Sequence, residues 1–250
     1  MHRKALALIC LLGWDVAAAQ SAQRDAAVLL RSAKEGDRAK GLARSLVFTS
    51  SAIGPELRSA LVAALNEEGK RFTIDSHGRP HAAQAELLSG LAQQVAQFRD
   101  PAAIPGLVAA VGISPPAMFA LADFGQVAAA ELVVRARSPD PAPMMASLIG
   151  LRLLAERRSS VPLSTPTVQQ MKLIALRHLT GVQRAPAATW FAIDLAVALE
   201  DDELRGIVHK LATDRAEVAR LGIVDESLVA RTQRLASQRL KGVPATPRRP

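Results

Sequence analysis

The chain has 250 residues and a formal net charge of +8; hydrophobic residues make up 49%, aromatics only 3%, and there is no tyrosine and a single cysteine. One cysteine excludes an intramolecular disulfide framework, and basic residues spread without interleaved aromatics argue against stacking on nucleic-acid bases. Alanine and leucine carry most of the apolar mass and favour helix, whereas strands want Val, Ile, Thr and aromatics, so an all-α fold is expected.

The first predicted element is a leader. His2, Arg3 and Lys4 form a basic n-region, and Ala5 to Trp14 form an apolar h-region too short to span a bilayer as a helix. Ala17-Ala18-Ala19 then supplies the small residues of a signal-peptidase site. Residues 1–19 therefore read as a secretory signal peptide of bacterial type, cut after Ala19, with the remainder periplasmic or secreted. A buried N-terminal helix is the alternative reading. Cleavage removes Cys10, the only cysteine, and one net positive charge through Arg3, Lys4 and Asp15. No later segment has eighteen uninterrupted apolar residues, so no membrane insertion is expected after cleavage.

Helices and breaks alternate through the next region, 20–241. Residues 39–49 and 54–67 read as amphipathic helices, the second opening at Pro55 and placing Leu57, Leu61, Ala64 and Leu65 on one stripe. A polar loop is expected over 69–80, then a helix over 82–98. Asp100-Pro101 has the form of an N-cap with proline at the first helical position. Gly112 closes that helix, and Ser114-Pro115 opens the next, which runs to Phe124 with Gly125 as its stop. Further helices are expected over 126–137, 142–157, from Thr165 to about Leu179, from Pro186 toward Leu199, over 200–213, over 214–221 and over 225–240. Residues 242–250, GVPATPRRP, read as a disordered basic, proline-rich tail.

Many short helices with tight turns predict stacked antiparallel helical hairpins, an irregular α-solenoid. The segment Ala120-Leu121-x-x-Phe124-Gly125-x-x-Ala128-x-x-x-Leu132 resembles the junction between consecutive HEAT repeats (the ARM/HEAT-like α-solenoid family). "PELRSALVAAL" (55–65) resembles the start of a HEAT second helix, "DPAAIPGLVAAV" (100–111) a first helix, and "DRAEVARLG" (214–222) is a weaker copy of the former. The starts of second helices near 54, 115, 140, 185 and 214 have no constant period. The resemblance implies that Gly125 lets the chain turn, Ala128 lets helices approach, and Leu121, Phe124 and Leu132 fill the space between layers.

Candidate chemistry is sparse. Asp75, His77 and His81 in "IDSHGRPH" could offer a carboxylate and two imidazoles to a metal, but Gly78 and Pro80 oppose a helical pairing of the histidines, so a solvated turn is expected. His178 and His209 read as boundary histidines. There is no G-x-S-x-G or S-x-x-K. "EDDE" (200–203) reads as N-terminal charge on a helix dipole, and Trp190-Phe191 as core. No catalytic residue, metal ligand or cofactor is assigned.

The expected function is that of an exported, non-catalytic scaffold binding another protein. The alternatives are an enzyme-associated or metal-dependent helical domain using loop 69–81, or a binder of anionic cell-envelope polymer. Second helices line the inner curve in the family this chain resembles, so Arg58, Arg152 and Arg220 are the candidate protein-binding residues: arginine forks suit carboxylates. The exported form is expected to begin at Gln20, which intact-mass analysis checks; an exported chain retaining Met1 rejects the leader.

Overall fold

The computed structural model describes residues 2–73, 81–183 and 185–242, without the side chains of 2–15. Thirteen α-helices and two short 3-10 turns carry these residues, with no strand among them, so the all-α expectation holds. The chain divides into two compact units, Met1–Ala120 and Leu121–Pro250.

In the first unit, α1 (His2–Leu30) packs on α2 (Glu35–Ser45) and α3 (Pro55–Arg71), and α3 packs on α4 (Ala82–Val95) and α5 (Ile104–Ala110). Ala26, Ala27 and Leu30 are the buried side chains of the described part of α1. Gln23 secures the approach to α3: its amide nitrogen donates to the Ala52 carbonyl at 2.8 Å and its oxygen accepts from the Gly54 amide at 2.7 Å. Arg38 on α2, 4% exposed, pairs through Nε with Glu68 on α3, 2% exposed, and donates to the Ser32 carbonyl at 2.8 Å.

That pair explains why the expected loop at 69 starts late. Gly69, Lys70 and Arg71 read as polar loop, yet α3 continues through Arg71. Glu68 is buried against Arg38, Lys70 pairs with Glu67 one turn back at 2.7 Å, and Gly69 is a packing residue. A Cβ on Gly69 would lie 3.2 Å from the Gly106 Cα, and one on Gly106 would lie 2.6 Å from the Leu65 Cγ and 2.9 Å from the Leu65 backbone. The backbones of α3 and α5 therefore meet where both carry glycine. Asn66 fastens the crossing, its oxygen accepting from the Gly106 amide at 2.9 Å and its nitrogen donating to the Ala102 carbonyl at 2.8 Å. The rest of that loop, 74–80, lies outside the described residues.

Asp100 caps as expected, accepting from the Ala102 amide at 2.9 Å, but a 3-10 turn (Pro101–Ala103) precedes α5. Pro105 has no amide hydrogen to give to the first α-turn. The 82–98 helix likewise ends as a 3-10 turn, Ala96–Phe98, and α2 starts and stops four residues earlier than its pattern suggested.

The helix α6 (Pro115–Phe124) has its expected limits, and between it and α7 (Gln126–Arg135) the chain bends by 116°. Gly125 makes that turn at φ +54°, ψ −120°, a conformation strained for any residue with a Cβ. Leu121, Ala128 and Leu132 are buried, whereas Phe124 is only half-buried.

The second unit continues with α8 (Pro141–Glu156), α9 (Thr165–Thr180), α10 (Pro186–Ala198), α11 (Asp202–Thr213), α12 (Arg215–Arg220) and α13 (Glu226–Lys241). Their starts follow from local capping: Asp140, Ser164, Asp201, Asp214 and Asp225 each accept an amide of the first turn. α10 packs on α8, α9, α11 and α13, and α11 packs on α9 and α13. His178 is buried rather than at a boundary, with Nδ1 3.1 Å from the Gln183 side-chain oxygen and Nε2 3.4 Å from the Ala136 carbonyl. No single helix among the described residues is long and apolar enough to cross a membrane.

Two glycines should respond in opposite directions. Gly106→Ala forces a methyl into Leu65 and is expected to cost about 1–3 kcal/mol. Gly206, exposed within α11, has nothing within 4 Å of a built Cβ, so Gly206→Ala is expected to stabilise by about 0.5–1 kcal/mol through helix propensity. Urea unfolding of each variant checks both signs.

Candidate functional site

A concave surface in the second unit lies between α8, α10 and α13. It comprises two clefts of about 480 and 510 Å³ that share Asp194 and Gln238. Helical spacing makes the walls. Trp190, Phe191 and Asp194 stand on one side of α10, and Arg231, Arg234, Leu235 and Gln238 recur at three- and four-residue steps along α13.

Asp194 is the node of this surface, with its side chain only 9% exposed. Arg239 from α13 grips it with two donors, Nε at 2.6 Å and a terminal nitrogen at 3.2 Å, and Arg152 from α8 adds a third at 3.4 Å. One carboxylate thus joins three helices, flanked by two guanidinium groups. Arg152 also pairs with Glu156 at 2.8 Å along its own helix. Nearby, Arg158 donates to the Leu199 carbonyl and to Glu200, both at 2.6 Å. Glu200 itself sits at φ +55°, the left-handed position that ends α10.

The larger cleft is aromatic and cationic. Trp190 donates from Nε1 to the Thr232 hydroxyl at 2.9 Å, and the Arg231 guanidinium lies 3.8 Å above the Trp190 ring. Trp190 and Phe191 are half-buried and line the cleft rather than filling the core expected for them. Arg234 is exposed and makes no ion pair among the described residues.

The helix starts beside the cleft are electrostatically set. Asp225 at the head of α13 is held below the usual carboxylate range by the Ser227 hydroxyl and then by the amides of Leu228 and Ser227. Hydrogen bonds donated by Lys172 to Glu203 and then Asp201 raise the lysine above its ordinary value. Partial burial pushes Asp201 up, but Lys172 and the Leu204 amide outweigh it, leaving the group lowered. "EDDE" is therefore divided: Glu200 ends α10, Asp201 caps α11, and Asp202 and Glu203 occupy the first turn of α11.

Of the three candidate arginines, Arg152 lies in the cleft wall. Arg220 on α12 is exposed, pairs with Glu217 at 3.2 Å and is not part of that wall. Arg58 belongs to the first unit, with its guanidinium 4.9 Å from the Phe98 ring centre. Asp75 and His77 lie outside the described residues; His81 is the exposed N-cap of α4 and makes no capping bond. No group of three or more His, Cys, Asp or Glu among the described residues is placed to hold a metal ion. Asp194, Arg231, Arg234 and Arg239 were missed by sequence reasoning, although the stripe on α13 is a readable signal.

No family model matches this chain, and neither the curated proteins nor the solved structures compared with it contain a match. The likeness to HEAT repeats therefore rests on the residues quoted for it.

The node makes a non-additive prediction. Arg152→Ala or Arg239→Ala alone leaves Asp194 with one partner and is expected to cost about 1 kcal/mol. The double variant strands a largely buried carboxylate and is expected to cost more than the two together, by about 1–2 kcal/mol. A double-mutant cycle in urea measures the difference.

Proposed function

We propose that the chain is an exported, non-catalytic helical-repeat protein of HEAT type that holds a protein partner, acting in the periplasm or outside the cell. The observation carrying this reading is the Asp194-centred cleft: a concave surface with apolar and arginine-bearing walls, the composition found at interface anchors. The packing order favours a solenoid. Extensive contacts within each unit join helices one or two apart in chain order, except α10 with α13, between which α11 and the short α12 intervene. α8 and α10, both assigned to second helices, pack on one another, and Arg152 bridges them through Asp194. Arg152 therefore leads the binding role. Arg58, packed over Phe98, and Arg220, paired with Glu217, are secondary to it.

Export is supported by the ordered n, h and cleavage regions, and by the position of the buried α1 side chains. Ala26, Ala27 and Leu30 all follow the expected cut, and Ala18 and Gln20 beside it are exposed. Processing after Ala19 would leave these three buried side chains of α1 in place.

Affinity capture from a periplasmic extract, followed by reconstitution with the purified partner, tests the reading. Arg152→Ala is expected to weaken the reconstituted complex by about tenfold while the circular-dichroism melt keeps its shape. Unchanged affinity removes the cleft from the binding role, and failure to capture any protein removes the scaffold reading.

A further inference from the structure

We infer that the cleft between α10 and α13 takes an extended acidic peptide segment of the partner, with one apolar side chain seated against Trp190, Phe191 and Leu235 and carboxylates engaging Arg231 and Arg234. This rests on the reading of the second unit as a protein-binding module and names the chemistry of its ligand.

Charge complementarity selects the sign of the occupant. Arg231 and Arg234 are exposed and one helical turn apart on α13, and neither forms an ion pair among the described residues. At the Asp194 node the charges balance, Arg152 and Arg239 against Asp194 and Glu156, so the positive charge offered to a ligand is that of Arg231 and Arg234. Guanidinium forks bind carboxylates with two parallel hydrogen bonds, so carboxylates on alternate residues of an extended ligand, which share one side of it, can engage both arginines. Arg231 already lies over Trp190, which restricts its motion and lowers the entropy lost on pairing.

The apolar wall selects the kind of occupant. Trp190 and Phe191 are half-buried in the free chain and Leu235 completes their surface; covering them removes apolar area from water. A polyphosphate or anionic glycan has no side chain to place there. The neighbouring cleft also carries Glu156 and Glu200, both bound to arginines, and these oppose a uniform polyanion running past the node. A cleft of about 510 Å³ holds a few side chains, the scale of a peptide segment rather than a folded surface.

The test uses the full chain carrying Trp14→Phe, which leaves Trp190 as the single tryptophan. The probe is a fluorescein-labelled peptide of alternating Glu and Asp around one Phe, followed by anisotropy and by Trp190 emission. Saturable binding with an emission shift is expected. Replacing the peptide's acids by amides, or its Phe by Ala, is expected to weaken binding about tenfold each. Arg231→Ala/Arg234→Ala is expected to do the same with an unchanged melt, and Arg234→Ala alone, at a side chain that makes no ion pair among the described residues, gives a smaller loss in the same direction. The inference fails if the peptide does not bind, if the Arg234 variants bind it equally, or if polyphosphate competes as well as the peptide and the Phe makes no difference. The two readings fail separately. A reconstituted protein complex weakened by Arg152→Ala, beside a peptide that does not bind, overturns only the acidic-peptide class; loss of both overturns the scaffold reading as well.

Discussion

Close approach of helix backbones is the constraint on which this structure depends. With aromatics at 3% of the chain, large rings are not there to fill gaps between helices, and the gaps must be made small. Ala188, Ala192 and Ala196 line one side of α10 at four-residue intervals, and all are fully buried. Gly41 lies against Leu30, Gly150 against Leu132, and Gly106 against Leu65, each with no space for a methyl group. Leucine supplies the volume on the facing helix, and alanine or glycine supplies the hollow that receives it. Each such contact buries little apolar area, so cohesion is spread over many of them.

Charge adds what small residues cannot, a fixed position along the helix axis. Arg38 and Glu68 are both nearly inaccessible, and sliding α2 on α3 would leave two buried ions without partners. Asp194 works differently. Its arginines are 36% and 44% exposed, so water can solvate them when the carboxylate is lost. The buried pair holds an interior contact, whereas the node sets the edges of a surface that remains open.

Helix limits were most legible where the determinant is local. Asp140-Pro141, Ser164-Thr165-Pro166 and Asp225-Glu226 announce their helices because a cap and the amide it accepts lie within three residues. The end of α3 was illegible because Gly69 looks like a loop residue until packing brings Gly106 to it, just as Arg38 is brought to Glu68. The candidate site shows the same division. The stripe on α13 follows from spacing alone, but the pairing of Arg239 with Asp194 spans 45 positions and has no local signature. Trp190 and Phe191 looked like core because their neighbours Ala192, Ile193 and Leu195 are core; the helix turns them toward the cleft.

Helices that mostly touch only near neighbours in chain order give each unit a low contact order. Within such a unit, an element with neighbours on fewer sides opens before the rest. α13 rests on α10, α11 and α12, and it forms one whole wall of the cleft. On the binding reading proposed above, a guest in the cleft would bind only the state in which α13 is docked and would favour that state. Amide exchange along 226–241 becomes a remote gauge of the cleft, slowing at residues the guest never touches. By the same linkage, helix-favouring substitutions on the outer side of α13 would tighten the grip without adding a contact.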